Sequence, residues 1–302
     1  MQRGVLLLAG PTASGKTALA IRLAQEFDAE IVSADSRQVY AGMEIGTAAP
    51  TAAQRALAAH HLVGFLDPRE RYSAARFVAD AMHAIEDIHG RGKRAIVAGG
   101  TGFYMRALSG DVVLAPQYDQ GVRDRLAREA QIHDTAFLYE WLSVRAPDRA
   151  AEMKVADRYR VLRALEVELA APRALHRTEV LRTLGTLHLP ILKLFLAPNE
   201  SELQQRIEAR TDAMLVSRLL EEAERIGLDA AAASAVGYPH ALAYLTGWCT
   251  HAELRALLVR STRRYAKRQY TWFRSESNMQ WISPEDAHQQ ISTLARERLH
   301  WL

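Results

Sequence analysis

Short apolar runs alternate with longer amphipathic stretches over the first hundred residues, a pattern that predicts parallel strands joined by helices. Residues Val5–Ala9 are uniformly apolar and read as a buried strand. Residues 18–27 carry Leu19, Leu23 and Phe27 on one helical face, and residues 30–34 read as a second strand. Ser73 is placed to cap a helix that turns Phe77, Ala81, Ile85 and Ile88 inward and ends at Gly90 and Gly92. A strand over 94–98 follows. From about residue 116 to 182 the chain becomes rich in Arg, Ala and Glu at helical spacing and shows no strand. An apolar run at 190–197 then returns to strand character, and the chain is mostly helical from residue 200. The expected organisation is an α/β core made of residues 1–115 and 190–302, its parallel sheet flanked by helices, interrupted by a helical insertion at 116–189.

Composition adjusts this picture only slightly. With 302 residues, 49% of them hydrophobic, the chain is large enough for a buried core. A formal net charge of +3 permits a polyanionic partner without requiring one. The single cysteine, Cys249, excludes an internal disulfide framework and a Cys-rich zinc module, and predicts a reducing, cytoplasmic setting with Cys249 as a buried thiol. The first apolar run is too short to span a membrane, so no membrane association is expected.

Chemistry enters at residues 10–17, where Gly10, Pro11, Thr12, Ala13, Ser14, Gly15, Lys16 and Thr17 match G-x-x-x-x-G-K-[ST] between a predicted strand and a predicted helix. In such a loop backbone N–H groups and a helix N-terminus converge on phosphate oxygens, the lysine adds a full charge, and the threonine hydroxyl is offered to Mg2+. The motif does not name the ligand, because any diphosphate ester presents similar oxygens. Asp35 follows the second strand and competes for two roles, Mg2+ ligand or general base, or else caps the segment behind it. A second glycine-rich loop, Gly99 to Gly102 with Thr101, leaves the strand at 94–98 and belongs at the same end of the sheet. Arg206 and Arg210 lie one helical turn apart and could close over a phosphate. His60 and His61 lack partner ligands and predict a structural role rather than zinc. Between residues 260 and 274, Arg263, Arg264, Lys267, Arg268 and Arg274 interleave with Tyr265, Tyr270, Trp272 and Phe273. This suits RNA, or a helix with an aromatic core face and a solvated basic face.

Taken together, the loop at 10–17, Asp35-Ser-Arg-Gln-Val-Tyr40, Gly46-Thr47, His60-His-Leu62, Tyr72-Ser73 with Phe77, and residues 99–104 resemble the tRNA dimethylallyltransferase family. The likeness continues through residues 160–167, Arg210 with Met214, Gly237-Tyr238, and Tyr265-Ala-Lys-Arg-Gln269 with Thr271-Trp-Phe-Arg274, covering nearly the whole chain. The resemblance implies a P-loop NTPase-like fold and transfer of a dimethylallyl group from its diphosphate to N6 of the adenosine 3′ of the anticodon in tRNA. It implies that the phosphate loop holds the prenyl donor's diphosphate, with Lys16 and Arg210 neutralising charge and Mg2+ near Thr17. Asp35 is implied to take the proton of the adenine amine, and Thr101 to contact the reacting centre. The tRNA contacts carried over are Asp35, Ser36, Arg37, Gln38, Thr101, Arg123, Tyr159, Arg160, Val161, Leu162 and Arg163, and a monomer is expected.

The sequence departs from the family pattern at Ala49, where a lysine is usual, at Tyr159, where glutamine is usual, and at Val63-Gly64 after the His-His-Leu segment. Three other functions fit parts of the pattern: a prenyltransferase acting on free adenine nucleotides, a P-loop small-molecule kinase with Asp35 as base, and an RNA-binding module whose loop only senses a ligand.

Overall fold

A computed structural model describes residues 4–112, 114, 119–174 and 181–302, with the side chains of 171–174 left aside. The chain divides into two compact units, Met1–Val112 with Arg182–Leu302, and Val113–Leu181. Residues expected in the insertion at 116–118 and 175–180 lie outside the described residues.

The first unit is built on a six-stranded sheet in the order β3-β2-β4-β1-β5-β6, every pairing parallel. Strands β1 (Val5–Ala9), β2 (Ala29–Ser33), β3 (His60–His61), β4 (Arg94–Gly99), β5 (Ile191–Leu196) and β6 (Gln280–Ile282) alternate with helices. β1 lies between β4 and β5 and is buried on both faces, which is why it is apolar without alternation. One face of the sheet packs Leu6 and Leu8 against Leu19, Leu23 and Phe27 of helix Lys16–Glu26 and its end, and against Ile291, Ala295 and Leu299 of helix Ala287–Leu299. Helix Ala74–Gly90 buries Phe77, Ala81, Ile85 and Ile88, and Ser73 accepts a hydrogen bond from the Arg76 N–H at 3.1 Å. A cap of that kind contributes about 1 kcal/mol. Phe77 stacks on Tyr104 of helix Gly102–Ser109, with centroids 4.3 Å apart.

Two local expectations are revised. The C-terminal part adds the short edge strand β6 to an otherwise helical region. Cys249 is only half-buried, at the margin of a cluster formed by Leu219, Leu254 and Leu258. The His pair forms β3 against β2, and His61 Nε2 lies 2.7 Å from Glu30, which Arg91 and Lys93 also hold. Those hydrogen bonds, with Arg91 the strongest contributor, pull the Glu30 carboxyl down to about 2.

The second unit has its own core. Val122 and Leu126 of helix Gln120–Ile132, Leu138 and Leu142 of helix Thr135–Arg145, and Val161, Ala164 and Leu165 of helix Arg158–Ala174 pack together. Asp119 and Asp134 cap the first two of these helices. No helix among the described residues is long and apolar enough to cross a membrane.

Candidate active site

The carboxyl ends of three adjacent strands deliver the loops singled out in the sequence. Ala9 of β1 is in register with Gly99 of β4, and Ser33 of β2 with Ala98. The loop at 10–17, the Asp35 segment and the Gly99 to Gly102 loop therefore leave the sheet at one level and one edge. The first two open onto a cavity of about 1060 Å³ whose lining includes Thr12 to Thr17, Asp35 to Gln38, Arg210, Met214 and Tyr265, and the Gly99 to Gly102 loop stands behind the Asp35 segment.

The loop takes its shape from two left-handed residues, Ala13 (φ 62°) and Gly15 (φ 90°). Gly15 adopts this conformation at little cost, whereas Ala13 does so with a Cβ in place. Lys16 folds back so that Nζ donates to Pro11 O at 3.2 Å. Ser14 has a buried hydroxyl oxygen with no partner, at the centre of the turn. The two arginines of helix Glu200–Val216, alike in sequence, have separate duties. Arg206 donates to Ser14 O at 2.8 Å and pairs with Glu202. Arg210 reaches further in, donating to Thr12 Oγ1 at 3.0 Å and to Thr47 O at 3.3 Å.

Two cations thus share one phosphate-shaped space. Withdrawal of the Lys16 ammonium from water lowers its pKa to about 8, the nearby Asp35 opposing that fall and Arg210 adding to it. Burial likewise lowers Arg210, with Asp35 again opposing. An anion entering the cavity would oppose that fall and hold the Lys16 proton more tightly. Asp35 accepts the Arg37 N–H at 2.9 Å through Oδ1, so it shapes its own turn while facing the cavity. Thr101 Oγ1 accepts the Ser36 N–H at 2.9 Å, which ties the glycine-rich loop to the Asp35 segment. Tyr265, also against Thr101, has its phenol pushed upward by burial and then by the Asp35 charge. Gln38 accepts from Ser33 and donates to the carbonyls of Thr47 and Ala48, and Arg37 reaches Ser234 Oγ at 3.3 Å. Ala49 is buried in the cavity wall beside Pro50, contributing no charge where the family pattern has a lysine.

Two buried polar groups that build this site had no role in the sequence reading, Gln269 standing there only as part of a motif. Glu222 accepts the backbone N–H groups of Ile45 and Gly46 at 2.9 and 2.7 Å and the Tyr238 hydroxyl at 2.7 Å, fixing the turn that offers Thr47 O to Arg210. Gln269 accepts the Thr12 N–H at 2.8 Å and donates to Gly100 O at 3.0 Å. The available signal was a glutamine on the same helix face as Ala266 and Phe273, both buried.

The remaining candidates lie in the second unit. Tyr159 is 74% exposed, and Arg160 pairs with Asp157 at 3.3 Å. Arg163 and Arg123 flank the buried Glu166 at 3.1 and 3.9 Å. Val161 is wholly buried and Leu162 packs against the same core, so their side chains serve packing rather than a partner surface.

Among the described residues no group of three or more His, Cys, Asp or Glu side chains could form an all-protein metal cage. The cavity does offer the Thr17 hydroxyl and the Asp35 carboxylate. That sparse oxygen set suits Mg2+, which keeps several waters and takes most other ligands from phosphate.

Comparison with known proteins places this arrangement. The family model described as IPP transferase matches residues 38–276, and a second, isopentenyl transferase, matches 3–62. The tRNA dimethylallyltransferase of Xanthomonas axonopodis pv. citri is 44% identical over 293 residues, covering 93% of this chain and 90% of its own. The tRNA dimethylallyltransferase 2 of Geotalea uraniireducens is 41% identical over 92% of this chain and 91% of its own. Among solved structures, the full-length tRNA isopentenylpyrophosphate transferase from Bacillus halodurans superposes with a TM-score of 0.72 at 32% identity, covering 99% of this chain and 97% of its own. A eukaryotic dimethylallyltransferase acting on tRNA gives 0.77 at 27% identity, over 98% of this chain and 78% of its own. The phosphate loop, the parallel sheet and the helical C-terminal part all fall inside these matches, and the chain belongs to the IPP transferase family.

Proposed function

We propose that the protein is a tRNA dimethylallyltransferase, moving the dimethylallyl group of dimethylallyl diphosphate to N6 of the adenosine 3′-adjacent to the anticodon and releasing diphosphate. The observation that carries this reading is one cavity in which a carboxylate, Asp35, shares electrostatic range with two cations, Lys16 of the phosphate-binding loop and Arg210 of helix Glu200–Val216.

The chemistry follows from what each group holds. The donor's allylic C–O bond breaks and its electron pair leaves with the diphosphate, where Lys16 and Arg210 balance the charge. The adenine N6 lone pair forms the new C–N bond, and Asp35 accepts the proton N6 loses, since an exocyclic amine is a weak nucleophile. Thr101 keeps the Asp35 segment in position through Ser36. Mg2+, held through Thr17 and phosphate oxygens, would supply further charge neutralisation. Water must be kept from the allylic carbon, which favours an enclosed cavity over an open groove. A base reaches such a site only if unstacked, so a single-stranded anticodon loop is the fitting acceptor. Tyr159, Arg160, Arg163 and Arg123 offer aromatic and cationic contacts for the stem-loop, and the protein would work as a cytoplasmic monomer.

Incubation with labelled dimethylallyl diphosphate, Mg2+ and an anticodon stem-loop bearing the target adenosine should place label in the RNA. Label on free AMP in preference to RNA would favour nucleotide prenylation, and ATP turnover with a small acceptor would favour a kinase.

A further inference from the structure

We infer that Gln269 is a positioning residue for prenyl transfer, a buried clamp that sets the diphosphate loop against the loop carrying Thr101. The inference rests on the proposed function in one respect: it takes those two loops to hold the two halves of one reaction.

Gln269 is only 5% exposed and both ends of its amide are engaged, Oε1 by the Thr12 N–H and Nε2 by Gly100 O. The partners belong to loops that leave different strands, β1 and β4, and the residue joining them sits on a third element, helix His251–Phe273. Such a bridge fixes a distance between loops that the sheet register alone leaves to loop flexibility. Thr12 is held twice, its N–H by Gln269 and its hydroxyl by Arg210. Its N–H is thereby removed from the set available to phosphate. On the other side, a Cβ at Gly100 would run into the Gln269 amide, so close approach of helix and loop is built into the glycine. Thr101 follows directly and holds Ser36, next to Asp35. One side chain therefore connects the groups that neutralise the leaving diphosphate to the group that takes the proton. Displacement of reacting groups by about 1 Å can cost roughly a hundredfold in rate.

The amide's polarity separates this role from simple packing. Gln269→Glu keeps the shape and the acceptor for Thr12, and its carboxyl can donate to Gly100 O only while protonated, so ionisation should loosen the Thr101 side. Gln269→Met keeps similar volume and loses both bonds.

The test measures single-turnover prenyl transfer to an anticodon stem-loop, donor KM and binding of inorganic diphosphate by calorimetry, for the wild type and both variants. Across a pH series, Gln269→Glu should transfer near the wild-type rate while its carboxyl is protonated and lose about a hundredfold as it ionises, a step absent from the Gln269 enzyme. Gln269→Met should lose at least as much rate and also bind diphosphate several-fold more weakly. Transfer by Gln269→Met at the wild-type rate would overturn the inference, as would equal losses in rate and diphosphate affinity. Absence of transfer by the wild type would instead overturn the proposed function, leaving the diphosphate binding series to read the clamp alone.

Discussion

In the cavity Lys16 and Arg210 are half-buried and held by loop oxygens, whereas in the helical unit Tyr159 projects into solvent and the exposed Arg160 pairs with Asp157 just ahead of its helix. The cationic side chains of the two regions thus sit in opposite electrostatic surroundings. Where water is excluded, charges interact strongly and their protonation shifts, as at Lys16. Exposed cations attract a polyanion in a way that salt screens. The contrast separates a region built to change bonding from one suited to recognise shape and charge.

The largest test of that contrast is Asp35→Ala. Prenyl transfer should fall by about a thousandfold or more in single-turnover assays, within the range expected for loss of a general base, while stem-loop affinity changes little. Comparable losses in both quantities would dissolve the division between the regions.

A pH series sharpens the cavity side. Below about pH 8 the free Lys16 is already charged and binds diphosphate without taking up a proton. Above that pH the free lysine is neutral, so binding must capture a proton and affinity should fall by up to roughly tenfold per pH unit. Calorimetry in buffers of different ionisation enthalpy would detect that uptake. Lys16→Arg, which keeps its charge, should flatten the dependence; an unchanged slope would assign it to another group.

The smallest effect is expected at Arg160→Ala. It should weaken stem-loop binding only a few-fold and reduce the salt slope by about 0.7 to 0.9, with single-turnover transfer at saturating RNA unaffected. A large loss of transfer would bring Arg160 into the chemistry and blur the comparison from its other side.

How far the sequence carried depends on the range of the interaction concerned. β1, helix Lys16–Glu26 and the Ser73 cap were legible because apolar period, capping and loop motif all act within a few residues. β3 and β6, two and three residues long, were not, since so short a run has no period and gains its hydrogen bonds only from the neighbouring strand. Val161 stood inside a stretch read as a contact surface, yet helical geometry turns it into the core while Tyr159 faces out.

By itself the sequence determined the phosphate loop, the parallel α/β plan and, through its motifs, the resemblance to the family, because each is written in local spacing or in residue order. Only the tertiary structure decided that Arg210 rather than Arg206 reaches Thr12 and Thr47. It alone disclosed Gln269 and Glu222 as the buried groups that hold the loops together. The physical reason is that these bonds join residues more than 150 positions apart, and their partners are backbone atoms, which carry no residue identity for a sequence to reveal.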